Sequence, residues 1–295
     1  MMKNKGISDD DIIILGGSEW NPADEERGPG KDTAGRKRRR AMTVAGAILA
    51  FCILLYTGRL AGFKYQYPKS RPDREIIADL SAAPLDTVSG ISFSRAEIMG
   101  VSLRIYGISG LEAHFADSVP DFSDPSVYFI TRSADYRIRN DRRVMIGDFI
   151  QDGEILARGK WRAGFMAITD GNAQIGVSRG GRVSGYVARH GGSFFRQLAL
   201  VSAGTVCDGQ YILRGKVSRC AYARDIDGRL YFIETENPEG LSTFADALAE
   251  YGFTDAIYVT GGAQPQLFFR SHDGTPQGRY VDDKPHKLVV WTARE

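Results

Sequence analysis

The sequence is short of the residues that most often build an active centre. Three cysteines and four histidines are scattered through 295 residues. There is no Cys-x-x-Cys pair, no His-Glu-x-x-His and no glycine-rich loop ending in Gly-Lys-Ser/Thr. Those absences remove the commonest thiolate and imidazole metal sites and the nucleotide-binding P-loop. His114, His190, His272 and His286 show no metal-ligand spacing. Neither a metal nor an organic cofactor is expected. An excess of one charge is missing too: 38 Lys and Arg against 36 Asp and Glu leave a formal net charge of +2. That balance gives no reason to expect a nucleic-acid partner. Repeats of solenoid length are also absent.

What is present is uneven. Arg36-Lys37-Arg38-Arg39-Arg40 is a run of cations, and Ala41 to Gly58 follows it without a single charge. As a helix those eighteen residues rise about 27 Å, close to a bilayer core. Leu60 to Phe63 lengthen the span if Arg59 snorkels. Residues 41–63 therefore read as a single transmembrane helix, with the N-terminus cytoplasmic and the C-terminal part periplasmic or extracellular. A buried core helix fits five flanking cations badly. A cleaved signal peptide fits poorly with a 35-residue leader before the cations and no small-x-small site after the apolar run. Residues 1–40 read as a disordered, charged cytoplasmic tail and 64–74 as a polar linker. Protein partners are left open: the apolar patch Asp11 to Gly17 is a candidate partner motif, and the charged tail also suits a structural partner in a membrane complex.

Residues 75–295 read as the exported domain. Asp-Gly occurs five times, at 152–153, 170–171, 208–209, 227–228 and 273–274. Several of these pairs separate apolar runs, which predicts hairpins with type I′ turns. The clearest are "FMAITDGNAQIGV" and "AYARDIDGRLYFIET". Leu241, Phe244, Ala245, Leu248 and Tyr251 recur at helical spacing before Gly252, and short helices fit 73–80 and 184–190. Strand "LYFIET", the helix and strand "AIYV" form a β-α-β unit, which normally pairs its strands in parallel. The expected class is α+β: a mixed, hairpin-rich sheet with a few packed helices, preceded by the transmembrane helix. Cys207 and Cys220 allow two readings in an oxidising compartment, a disulfide or two separately buried thiols.

Four segments concentrate Gly, Arg and carboxylates: "VMIGDFIQDGE" (Val144 to Glu154), "HGGSFFRQLALVSAG" (His190 to Gly204), "SRCAYARDIDGRLYFIETE" (Ser218 to Glu236) and "DAIYVTGGAQPQLFFR" (Asp255 to Arg270). In this order they resemble the phosphodiester glycosidase domain family, over roughly Arg143 to Phe269. The family shows an Asn-Gly-Gly-Phe-Phe strand end, then an Arg-Ala strand and an Asp-Gly hairpin. A helix follows, ahead of Ala-Ile-x-Leu-Asp-Gly-Gly. Here Ile146 stands at the family's Asn, Asp148 at its second Gly, and Thr260 at its final Asp.

The resemblance implies a membrane-anchored exported hydrolase that cuts sugar-1-phosphodiester linkages in glycans. Its ligand would be a carbohydrate or sugar phosphate. The leaving group is a phosphate monoester, which departs readily as an anion and is helped by guanidinium and backbone N–H donors. Arg196 and Arg219 are the candidate phosphate ligands, with Gly261, Gly262 and the Gln264 amide beside them. Asp148, Glu234 and His190 are the candidate proton-handling groups. For each residue a structural role stands beside the functional one: a plain turn for Gly261-Gly262, ion pairing for the arginines and carboxylates, a helix end for His190. The altered motif positions leave open a non-catalytic glycan-binding or envelope scaffold domain on the same fold.

Overall fold

The computed structural model describes residues 42–56, 71–82, 88–139, 142–159, 162–207, 214–262, 267–271, 273–279 and 287–294. The chain divides into two units, Met1–Lys64 and Tyr65–Glu295. In the first, residues 42–56 form a helix, α1, with exposed side chains. No described helix is long and apolar enough to cross a membrane. The expected tail and the remaining positions of the expected span lie outside the described residues.

The second unit is α+β. Numbered along the chain, strands β1 (Gly90–Ile98), β2 (Val101–Ser109), β15 (Leu230–Thr235), β14 (Ser218–Arg224), β16 (Asp255–Gly262), β12 (Ala199–Ser202) and β13 (Thr205–Val206) lie side by side in that order. A second sheet runs β10 (Asn172–Val177), β9 (Gly164–Thr169), β11 (Ser193–Gln197), β7 (Phe149–Gln151), β8 (Glu154–Ala157). A third runs β18 (Pro276–Arg279), β17 (Leu267–Arg270), β4 (Val127–Arg132), β19 (Leu288–Ala293), β3 (Leu111–Ala116), and β5 (Tyr136–Arg139) pairs with β6 (Arg142–Met145) as a hairpin.

Every ladder between the described strands is antiparallel, which corrects the expected mixed sheet. Strands β15 and β16 do run in the same direction, but β14 lies between them and is antiparallel to both. The reason is edge availability. A tight turn folds β15 back on β14, and β2 takes the other edge of β15. The free edge of β14 is then what remains for β16.

Helix α4 (Leu241–Tyr251) buries Leu241, Phe244, Ala245 and Leu248, the i, i+3, i+4, i+7 stripe of an amphipathic helix. It covers the outer face of the seven-stranded sheet, against Leu103, Ile105, Ala221, Ala223 and Ile233. Gly252 ends it at φ +106°, with its N–H on the Ala249 carbonyl. Helices α2 (Asp73–Ser81) and α3 (Arg182–Arg189) cover the second sheet through Ile76, Leu80, Val183 and Val187, packed on Phe165 and Phe194. Between the sheets lies one aromatic core, shared by Tyr106, Tyr222 and Phe232 of the first, Phe149 and Phe195 of the second, and Phe115, Phe129 and Trp291 of the third.

The Asp-Gly turns divide. Asp152-Gly153 and Asp170-Gly171 have two consecutive positive φ angles, as a type I′ turn requires. At 227–228 and 273–274 only the glycine is positive, and 208–209 lies outside the described residues. Met99-Gly100 and Ala203-Gly204 make the same two-residue turn without an aspartate. Cys207 and Cys220 are both buried and form no disulfide with each other, so the disulfide reading is corrected in favour of separate burial.

Candidate functional site

Glu234 is the most informative side chain in the molecule. Alternation along β15 turns it to the inner face of the seven-stranded sheet with Phe232. The register places Arg104 opposite it on β2 and Cys220 opposite it on β14. One carboxylate oxygen, Oε1, accepts from Tyr106 Oη at 3.0 Å and from Arg104 Nη1 at 3.3 Å. The other, Oε2, is buried and has no hydrogen-bond partner among the described residues. Burial raises the Glu234 pKa above the usual carboxylate value, against the opposing pull of Tyr106 and Arg104. The Tyr106 phenol is pushed up too, by burial first and then by the neighbouring Glu234 charge.

Two residues on, Glu236 has the opposite surroundings. It is exposed and accepts from Arg104 Nε at 3.1 Å and Arg95 Nε at 2.8 Å. Its hydrogen bonds, with Arg104 the larger influence, lower its pKa. Arg104 thus touches both carboxylates, which sit about 7 Å apart along the strand. Phe93, opposite Tyr106 in the β1–β2 ladder, completes the cluster. It is 41% exposed, stacks on Phe269 at 5.8 Å and carries the Arg95 guanidinium 5.3 Å from its ring centre. An open aromatic face, two guanidinium groups and two carboxylates with opposed proton affinities therefore share one end of one sheet face. Environments that drive two carboxylates apart in this way divide acid from base roles.

Gly261 and Gly262 close β16 at the same end of the sheet. Val259 pairs with Cys220 but Gly262 with Ser218, so β16 carries one residue more than β14 between these pairs. That is a β-bulge, a place where glycine is favoured for backbone reasons alone. Val259 is the residue two strands across from Glu234, and Gly262, opposite Ser218, is also two positions along the sheet, so it lies about 12 Å from Glu234. Gln264 lies outside the described residues.

The other candidates stand elsewhere. Asp148 and Arg196 are buried and joined, Arg196 Nε to Asp148 Oδ2 at 2.7 Å. Asp148 Oδ1 accepts from the Gly159 N–H at 2.8 Å. The remaining Arg196 nitrogens donate to the carbonyls of Ser178 and Gly180. This pair ties β11 to the loops before β7 and after β10. Arg219 lies on the outer face of the large sheet, alternating with Cys220, and donates to the carbonyls of Glu239 and Gly215. His190 ends α3, exposed, stacked on Tyr186 at 4.0 Å. Among the described residues, Glu234 is therefore the only selected side chain that shares a sheet end and face with the carboxylate cluster.

Phe93, Arg95, Arg104, Tyr106 and Glu236 escaped the sequence reading. Their signal was there: "FSRAE" and "LRIYG" put charged groups on the same strand face as aromatics, which an ordinary core strand avoids. Gly176-Val177-Ser178-Arg179-Gly180 also fits the Gly-x-Ser-x-Gly pattern of serine hydrolases. Here the Ser178 hydroxyl accepts from the Gly180 N–H at 3.0 Å, and it has no histidine partner among the described residues. No group of three His, Cys, Asp or Glu suited to a metal ion occurs among the described residues.

No family model matches the chain, and no curated protein matches it. Among solved structures it is similar to the catalytic domain of zebrafish N-acetylglucosamine-1-phosphodiester alpha-N-acetylglucosaminidase, auto-inhibited by its pro-peptide. The identity is 11% over 73% of this chain and 85% of that one, with a TM-score of 0.49. It is also similar to a hypothetical protein from Synechocystis, at 10% identity over 69% of this chain and 62% of that one, with a TM-score of 0.49. With about one residue in ten identical, these likenesses assign no side chain a role.

Proposed function

We propose that the chain is a hydrolase of sugar-1-phosphodiesters, with Glu234 as its catalytic base. The observation that carries this reading is the pairing of Glu234, buried with one free oxygen, with Glu236, exposed and held ionised by Arg104 and Arg95. In the step envisaged, water adds to the anomeric carbon and gives its proton to Glu234. The bond from that carbon to the phosphodiester oxygen breaks, and the phosphate monoester leaves with the electron pair. Because that group leaves as an anion, it needs positive charge more than a proton, and Arg104 and Arg95 supply it. The exposed ring of Phe93 offers the sugar a stacking surface. The order of sequence motifs supports the substrate class. The cations before the apolar run 41–58 support anchoring in a membrane with the later residues exported.

The test is sugar release from synthetic sugar-1-phosphodiesters by the full chain. Hydrolysis is expected, falling about 100-fold or more in Glu234→Gln, the usual worth of a positioned base. Its acid limb should lie above the ordinary glutamate range. Release equal to buffer across several sugars overturns the reading. The same assay separates the second reading, a glycan-binding or scaffold domain. Thr260 at the family's acidic position favours that reading, and it requires saturable binding without turnover.

A further inference from the structure

The inner face of the seven-stranded sheet has a second polar end. Four residues back along β15 from Glu234, about 13 Å away, Leu230 reaches a cavity of about 460 Å³. Ile108, Leu111 and Trp291 give it an apolar floor, and Arg224, Arg229 and Arg294 contribute cations. The volume suits a ligand of monosaccharide size with its water.

Most of the charges around this cavity are matched. Arg71 holds Asp79 and donates to the Gln174 side chain. Arg294 donates to Asn172 Oδ1 at 2.9 Å and lies 3.5 Å from Glu112. Asp227 and Arg229 face each other on the rim at 4.0 Å. Arg224 differs in its terminal nitrogens. Its Nε is buried without a hydrogen-bond partner, as are those of Arg71 and Arg294, but where those two donate through their other nitrogens, Arg224 makes no side-chain hydrogen bond to a described residue. Gly228 closes over it: a Cβ there would stand 2.8 Å from Nη2. Burial, then repulsion from Arg71, lowers the Arg224 pKa, with Asp255, Asp79 and Asp225 attracting it. A half-buried guanidinium without hydrogen bonds is costly, and an oxyanion arriving through the cavity relieves that cost.

We propose that this cavity is a binding site for a small sugar acid or sugar phosphate, its oxyanion held by Arg224 and its ring lying on the apolar floor. The proposal is independent of hydrolysis at Glu234, since the two clusters share no residue.

Calorimetric titration of the full chain with glucuronate and with glucose 1-phosphate tests it, the two arms separating carboxylate from phosphate. At least one should give a saturable step that Arg224→Gln weakens about tenfold or more, the worth of one charge-assisted pair. Arg104→Gln should leave that step in place, which separates it from binding at the Glu234 cluster. Should Arg224→Gln fail to fold, the exposed rim serves: Asp227→Lys should tighten the step and Arg229→Gln should weaken it. The proposal is overturned by the absence of a saturable step with both sugars, by a step that survives Arg224→Gln, or by rim variants that leave it unchanged. Inorganic phosphate binding as tightly as glucose 1-phosphate also overturns it, because the ring would then contribute nothing.

Discussion

Glu234 and Arg196 are both buried charged side chains, yet they have opposite partners and opposite consequences. Arg196 has a hydrogen-bond acceptor for each of its guanidinium nitrogens, whereas Glu234 leaves an oxygen unmatched. Removing Arg196 strands Asp148 in a buried place, and breaking one side of such a pair costs about 3–5 kcal/mol. Arg196→Met should therefore lower the stability of the chain by that amount in urea titration. A small loss of stability with a large loss of sugar-phosphate binding would instead make Arg196 a ligand. For Glu234 the readout is pH. Its pKa is higher in the folded chain than in the unfolded one, so between the two values the folded protein keeps a proton that the unfolded chain has released. The stability it contributes is full below the ordinary glutamate value, about 4.3, and is lost as pH rises through the folded value. Glu234→Gln cannot ionise. Its stability relative to wild type should rise across that window and stay flat below it, as denaturant titrations at stepped pH would show. Glu234 was legible in the sequence because a carboxylate directly after "LYFI" continues a buried strand. Its partners were not, since Arg104 lies 130 positions away and meets it only through the β2–β15 register. Asp148 and Arg196 were legible as residue types suited to a phosphate, but not as each other's partners across 48 positions.

At the scale of elements, local signals carried through and non-local ones did not. Helix α4 and the hairpins β9–β10 and β14–β15 are written in stretches of a dozen residues, where periodicity, Asp-Gly and a terminal glycine act on their immediate neighbours. The position of β14 between β15 and β16 depends on which strand edges are already taken, and that is a property of the assembled sheet. The Gly-Gly of β16 shows the same limit: from sequence it is a turn or an anion nest, and in the fold it closes a bulge. Two other glycines separate backbone conformation from space. Gly252 caps α4 at φ +106° with open space where a Cβ would stand, whereas a Cβ on Gly192 would meet the Ile168 carbonyl oxygen at 2.3 Å. Gly252→Ala should cost about 1 kcal/mol, the left-handed penalty alone. Gly192→Ala should cost more, because β9 must move away from the loop before β11. Thermal melts of the two variants side by side check the order, and equal shifts would show that the loop at Gly192 yields freely.

At the scale of the whole molecule, one core decides whether three sheets behave as one body. Phe129 belongs to the third sheet but is fully buried against the first, with its ring 5.6 Å from Tyr106 and 5.4 Å from Phe232. Tyr106 in turn hydrogen-bonds Glu234, so the packing that joins the sheets also sets the position of the candidate base. Phe129→Ala should cost about 3–5 kcal/mol, the usual loss for emptying a buried aromatic site. If the shared core makes the sheets cooperative, amide hydrogens of β9, β16 and β19 should all lose protection by a similar free energy, although only β19 is a direct neighbour of β4 in its own sheet. Loss confined to β4, β17 and β19 would mean that the sheets open separately. The Glu234 cluster would then rest on the seven-stranded sheet alone, and its geometry would tolerate changes in the other two. Uniform loss would make the position of Glu234 depend on packing three sheets wide, so that a substitution far from the carboxylates could weaken hydrolysis by shifting Tyr106.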